Sequence, residues 1–202
     1  MKRNLSIVCL AAAASLTHAN LLTNGGFESP GSTAFNYFQN GEVPGWTVGS
    51  GDVMEIGMAS VYGVSGAEQR NMLELDSNRN VTVSQSVGSG AGQYELSFIY
   101  AKRGTNTEGR PSDTCDFQVL WNNQVVGSFS PQSTVMASQS LTLTGAVGSN
   151  LLSFRGVGSS DTFGAIIDAV ELNPVPEPIT LVMFGLGSVA MARRQKRNLV
   201  RS

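Results

Sequence analysis

Apolar residues recur at every second position in short runs along most of this 202-residue chain. Val81 and Val83 alternate with Thr82 and Ser84, and Tyr94, Leu96, Phe98 and Tyr100 are separated by residues that include Glu95 and Ser97. Leu141 and Leu143 alternate with Thr142 and Thr144. A period of two places each apolar set on one face of a strand. Phe117, Val119 and Trp121 run up to Asn122-Asn123, with Val125 and Val126 beyond, which predicts a tight hairpin because asparagine tolerates positive φ. Gly, Ser, Asn and Pro punctuate the runs, and the 3.6-residue period of a long helix is absent before the C-terminal region. Roughly ten half-apolar strands over residues 20–174 need a second layer to cover them, so the pattern predicts an all-β chain folded as a single jelly-roll β-sandwich.

The two ends break this pattern. Lys2 and Arg3, an apolar run from Leu5 to Leu16, and Thr17-His18-Ala19 have the layout of a secretory signal peptide over residues 1–19, cleaved between Ala19 and Asn20 after passage through the Sec translocon. Its removal takes away His18, the only histidine, and Cys9, leaving Cys115 as the sole cysteine. Catalysis by Ser-His-Asp or Cys-His groups, histidine-ligated zinc and an internal disulfide are thereby excluded from the exported part. Cys115 begins an apolar strand and is expected to be buried.

Segment 175–202 has three parts. Val175, Pro176, Glu177 and Pro178 form a stiff strip that prolines bias toward extended geometry. Ile179 to Ala192 are fourteen residues without a charge, read as a short transmembrane helix of roughly 21 Å. The tail 193–202 carries Arg193, Arg194, Lys196, Arg197 and Arg201, a basic stop signal that stays cytoplasmic. Motif, helix and basic tail in this order resemble the PEP-CTERM sorting signal of Gram-negative bacteria that export polysaccharide. The resemblance implies an exosortase, a membrane-embedded cysteine peptidase, as partner. It also implies a domain held briefly at the inner membrane and then released or re-anchored at the cell surface or outside the cell.

Charge sharpens that picture. All 15 acidic residues lie between Glu28 and Glu177, together with only Arg70, Arg79, Lys102, Arg103, Arg110 and Arg155, so residues 20–178 carry a net charge of −9. With so few and scattered Lys and Arg, nucleic acid is not expected as a partner, since phosphate binding needs them concentrated. The Gly-rich stretches 88–92 and 156–160 lack the Lys and helix of a phosphate loop and read as turns.

Three landmarks carry a second resemblance: NLLTNGGFE at 20–28, PGWTV at 44–48 and GAIIDAVEL at 164–172. They look like galactose-binding-like modules, including the choice-of-anchor domains often joined to PEP-CTERM tails. Such domains often hold a structural calcium ion between opening and closing strands, and this points to Glu28 and Asp168 as oxygen ligands; no other cofactor is implied. By alternation Asp168 shares a face with Ile166, Val170 and Leu172, where a carboxylate needs a partner, or a bulge that turns it outward. For a saccharide ligand, Trp46 is the candidate stacking ring and Arg103 and Arg110, in the polar loop 101–113, the candidate polar contacts. Core packing is the competing reading for Trp46, and the one expected of Trp121 and Tyr100. The leading expectation is a non-enzymatic envelope or matrix protein associated with extracellular polysaccharide. The alternatives are a calcium-stabilised carbohydrate-binding module and a polysaccharide hydrolase using loop carboxylates such as Glu108, Asp113 and Asp116.

Overall fold

The computed structural model describes residues 20–104 and 114–176. Residues 1–19, read as a signal peptide ending at Ala19, Arg110 and the loop around it with Glu108 and Asp113, Glu177 and Pro178, the apolar run and the basic tail lie outside the described residues. Among the described residues, no helix is long and apolar enough to cross a membrane.

Two antiparallel sheets face one another. One orders β1 (Phe35–Phe38), β3 (Met54–Met58), β4 (Asn71–Glu74), β11 (Ala165–Pro174), β6 (Gly92–Lys102) and β9 (Ala137–Gly145). The other orders β2 (Thr47–Val48), β5 (Thr82–Ser89), β10 (Gly148–Gly156), β7 (Phe117–Trp121) and β8 (Gln124–Phe129). One short helix, α1 (Ala59–Tyr62), follows β3. The all-β sandwich expected from the period-two pattern is therefore present, and the hairpin between β7 and β8 turns on Asn122 and Asn123 at φ 51° and 65°.

The core lies between the sheets. Ile56, Leu73, Phe98 and Ile167 meet Val83, Phe117, Val119 and Phe154, and Phe98 packs edge-on against Phe154 at 5.3 Å between ring centroids. Cys115 is buried, as expected. A smaller cluster of Tyr62, Val64, Met72, Ala101 and Ile166 covers the outer face of the six-stranded sheet. That second cluster exists because β3, β4, β6 and β11 are apolar on both faces there, so α1 and the segment after it must shield the outer side.

Asp168 departs from simple alternation. Pairing between β11 and β6 shifts between Asp168 and Glu171, and Ala169 adopts φ 50°. The extra residue of this β-bulge resets the pleat. Ile166 packs in the outer cluster, whereas Val170 and Leu172 face the core, so Asp168 does not share their face.

Candidate functional site

Strand register assembles a polar row inside the outer, second apolar layer. Across the six-stranded sheet, Tyr37 on β1 lies opposite Glu55 on β3, Glu55 opposite Glu74 on β4, and Glu74 opposite Ile166 on β11. Glu55 and Glu74 are 1% and 0% exposed. Like charges directly opposed across a ladder repel, and burial adds the cost of desolvation. Arg103, just past the end of β6, answers both. Its Nη1 donates to Glu55 Oε1 at 3.3 Å and to the Thr162 carbonyl at 2.8 Å, and lies 3.7 Å from Glu74 Oε1. Its guanidinium rests on the rings of Tyr62 and Phe163, 4.8 and 4.7 Å from their centroids, a contact that suits a weakly hydrated planar cation.

The loop before β11 is shaped to deliver these partners. Asp76 Oδ2 accepts from the amides of Asp161 and Thr162, both at 2.7 Å, while Glu74 accepts from the Gly164 and Asp76 amides. A Cβ at Gly164 would stand 2.6 Å from the Asp76 nitrogen, so only glycine allows the loop to approach this closely.

Burial pushes the Glu74 carboxyl from its ordinary 4.5 up to about 8; the Glu55 carboxylate adds to the rise and Arg103 opposes it. Glu55 is raised as well, by burial first, against the pull of Arg103. The pair therefore holds a proton at neutral pH. The unfolded chain loses that proton above about pH 4.5, whereas the native state keeps it until about pH 8. Its contribution to stability is full below pH 4.5, declines as pH rises, and is lost above pH 8. A thermal unfolding midpoint that drops between pH 5 and pH 8, with a shallower drop in Glu74→Gln, is expected in a series of pH-resolved melts. An equal slope in the two proteins would contradict it.

Two aromatic rings stand exposed beside this row. Phe35 and Tyr37, two residues apart on the edge strand β1, are 42% and 50% exposed and meet edge to face at 5.7 Å. Phe35 is paired with Gly57, where a Cβ would fall 2.8 Å from Phe35 Cβ and 2.7 Å from the Tyr62 hydroxyl. Glycine at 57 thus lets Phe35 and Tyr62 converge over the strand. The Tyr62 hydroxyl is buried without a hydrogen-bond partner of good geometry, and burial and the Glu55 charge hold its pKa well above the usual phenol value.

Of the residues singled out from sequence, Arg103 is in this site and Trp46 is not. Trp46 is 1% exposed, donates Nε1–H to the Asn24 carbonyl at 3.0 Å and packs on Phe27 at 5.1 Å. It is a core residue, because β2 lays it over the opening loop rather than toward solvent. Trp121 is buried too, its Nε1–H donating to the Thr144 carbonyl.

Glu28 and Asp168 do meet at one corner, with Glu68. A Cβ at Gly26 would lie 3.7 Å from Glu68 Oε2 and 3.9 Å from both Asp168 Oδ1 and Glu28 Cγ. Their oxygens are already engaged. Glu28 Oε1 accepts from the amides of Arg70 and Asn71 at 2.8 and 2.7 Å, and Oε2 from Asn71 Nδ2 at 2.9 Å. Asp168 accepts from the Glu68 and Ala169 amides at 3.0 and 2.7 Å. Calcium takes six to eight oxygens, and among the described residues no three or more His, Cys, Asp or Glu side chains converge closely enough to hold a metal ion. Backbone amides hold these carboxylates in place, and calcium at Glu28 and Asp168 rests on the resemblance alone.

Burial lifts Asp168 from 3.8 to about 6 against the pull of its two amides. Asp168→Asn should lose about 1–3 kcal/mol in urea denaturation, because the carboxamide nitrogen would face an N–H donor. Equal losses in calcium and in chelator are expected. A loss seen only in calcium would place the ion at these carboxylates.

Against known proteins, residues 174–197 match the PEP-CTERM protein-sorting motif. The chain therefore carries this motif, over the span its sequence resembles. A multifunctional-autoprocessing repeats-in-toxin protein of Vibrio cholerae serotype O1 is 34% identical over 162 residues, 77% of this chain and 3% of the toxin. That of Vibrio vulnificus is 34% identical over 116 residues, 55% of this chain and 2% of the toxin. The chain thus spans only a few hundredths of the length of these curated relatives. Among solved structures, a family 35 carbohydrate-binding module from Clostridium thermocellum is similar at a TM-score of 0.46 and 15% identity, over 70% of this chain and 99% of that one. One from Paenibacillus barcinonensis is similar at 0.44 and 13%, with the same coverage.

Proposed function

We propose that this chain is an exported, non-enzymatic saccharide-binding protein of the bacterial envelope or matrix. In this reading it leaves the cell through the Sec translocon, is sorted by an exosortase at its PEP-CTERM tail, and then holds extracellular polysaccharide. The single observation that carries the binding reading is the exposed Phe35–Tyr37 pair beside the buried Glu55–Arg103–Glu74 row. A sugar ring needs an apolar face to stack on and fixed polar groups at its edge, and solvent-exposed aromatic pairs on a rigid strand supply the first at little entropic cost. The polar row fixes the strand that displays the rings.

The buried row does not itself supply a hydrolytic pair. A glycosidase needs two carboxyl groups facing the scissile bond across an open cleft. Glu55 and Glu74 are instead buried and bridged by Arg103.

Affinity electrophoresis through gels containing polysaccharide from a producing bacterium should retard the domain. Tyr37→Ala, compared under conditions where the variant is folded, should weaken that retardation at least tenfold in affinity, about 1.4 kcal/mol. Retardation indifferent to both Tyr37→Ala and Phe35→Ala would reject this site, and turnover of the polysaccharide would reject the non-enzymatic reading.

A further inference from the structure

The end of the sandwich from which the chain leaves toward its tail is uncharged and closely braced. Val175 donates its amide to the Gln93 carbonyl at 2.8 Å, so the folded body continues into the sorting motif itself. Only Glu177 and Pro178 separate Pro176 from the uncharged run that begins at Ile179. Three peptide steps reach at most about 10 Å, however they are arranged. Whatever lies at this end of the domain is therefore within about one headgroup layer of the membrane that holds the run.

Register identifies what lies there. Gly92 pairs with Gly145 and Ser89 with Gly148, which brings the turns 89–92 and 145–148 together beside Val175, with the Asn122–Asn123 turn next to them. The turn segments 88–94, 121–126, 144–150 and 173–176 contain no charged residue, and the nearest carboxylates on the strands, exposed Glu95 and Glu171, stand one to two residues back along β6 and β11, in a domain whose net charge is −9. The acidic and basic side chains Asp52, Asp76, Arg79, Arg103, Asp116 and Asp161 gather at the other end, beyond Lys102. With eleven residues in β6, that end is roughly 35 Å away. Asn150 braces the exit-end turn: its Oδ1 accepts from the Ala146 amide at 2.9 Å and from Asn122 Nδ2 at 2.7 Å, and its Nδ2 donates to the Ala146 carbonyl. Val147, 85% exposed, crowns the braced turn.

We infer that this uncharged end, with Val147 at its tip, rests on the phospholipid bilayer surface while the tail is attached. Anionic headgroups repel carboxylates, so a neutral end is the one an acidic domain can present at such short range. A single exposed valine on a rigid turn adds a small apolar contact without making the domain a membrane protein. The saccharide-binding face, near the β4 and β6 ends beyond Glu74 and Ala101, is then held away from the lipid. The inference rests on the tail being membrane-embedded and is independent of the saccharide reading.

The test uses the chain with its tail, reconstituted in phosphatidylethanolamine–phosphatidylglycerol vesicles. Cys115 is buried, so Val147→Cys and, at the opposite end, Asn78→Cys can be labelled with a fluorophore. Headgroup nitroxide lipids are expected to quench the label at 147 at least threefold more than the label at 78. Equal, weak quenching of both in protein that floats with the vesicles would overturn the inference while leaving the tail reading intact. Protein that does not float with vesicles would overturn the tail reading and the inference together.

Discussion

Arg103→Met is expected to destabilise the domain by about 3–5 kcal/mol, because it leaves the Glu55 carboxylate buried without its cation. The packing loss alone would be smaller, since methionine retains much of the apolar stem that lies between Tyr62 and Phe163. The charge is what decides the size. Arg103 also ties the Thr162 carbonyl, so the loop before β11 loses its anchor to the sheet. A specific pattern distinguishes this account from generic damage. Adding Glu55→Gln to Arg103→Met should recover part of the loss, as the uncompensated charge disappears. The deficit of Arg103→Met should also grow from pH 5 to pH 8, as Glu74 gives up the proton it holds to about pH 8. Equilibrium urea unfolding of the single and double variants at both pH values measures each term. A deficit independent of pH and unrelieved by Glu55→Gln would show that Arg103 matters only as packing.

Trp46→Ala is expected to cost a similar 3–5 kcal/mol through a cavity in the centre of the core. The indole packs against Phe27 and, at 6.3 Å, against Phe154, and its N–H holds the Asn24 carbonyl in the opening loop. Binding should nevertheless survive: under conditions where the variant is folded, its affinity for a polysaccharide should match the parent within about twofold. Calorimetry of the two proteins together with their unfolding curves tests this. A folded variant that no longer bound would move the ligand site from β1 to the opening loop.

The contrast between Trp46 and Tyr37 shows where sequence reasoning stops. Pro44-Gly45-Trp46 reads as a strand start whose ring either stacks on a sugar or packs in the core, and no local feature separates the two. Burial of that ring depends on which sheet covers the 44–48 segment, a matter of tertiary arrangement. Phe35-Asn36-Tyr37-Phe38 alternates like any strand, with Phe38 packed against the core. Nothing local says that β1 is an edge with two rings left outside. A usable signal was present in β3 and β4: Glu55 and Glu74 interrupt runs that are otherwise apolar, Val53-Met54-Glu55-Ile56 and Met72-Leu73-Glu74-Leu75. A carboxylate in such a run requires a partner, as was argued for Asp168, and two in neighbouring strands require a shared one. Arg103 was legible as a polar group near a strand end, but its two carboxylates were not.

Asp168 repeats the lesson at one residue. Its oddity on an apolar strand was visible; its face was not, because one residue of αL backbone at Ala169 moves every later side chain of β11 to the opposite side.

Several strands, the hairpin at Asn122–Asn123 and the sorting tail are legible in the sequence alone. These depend on periodicity, on φ preferences and on runs of charge and hydrophobicity, all of which are local. Which aromatic rings remain in water, which carboxylates share Arg103 and which turns surround the exit to the tail become visible in the folded sandwich. Those are set by strand order and register, which bring together residues as far apart as Asn20 and Leu172, 152 positions, for reasons that no local window contains.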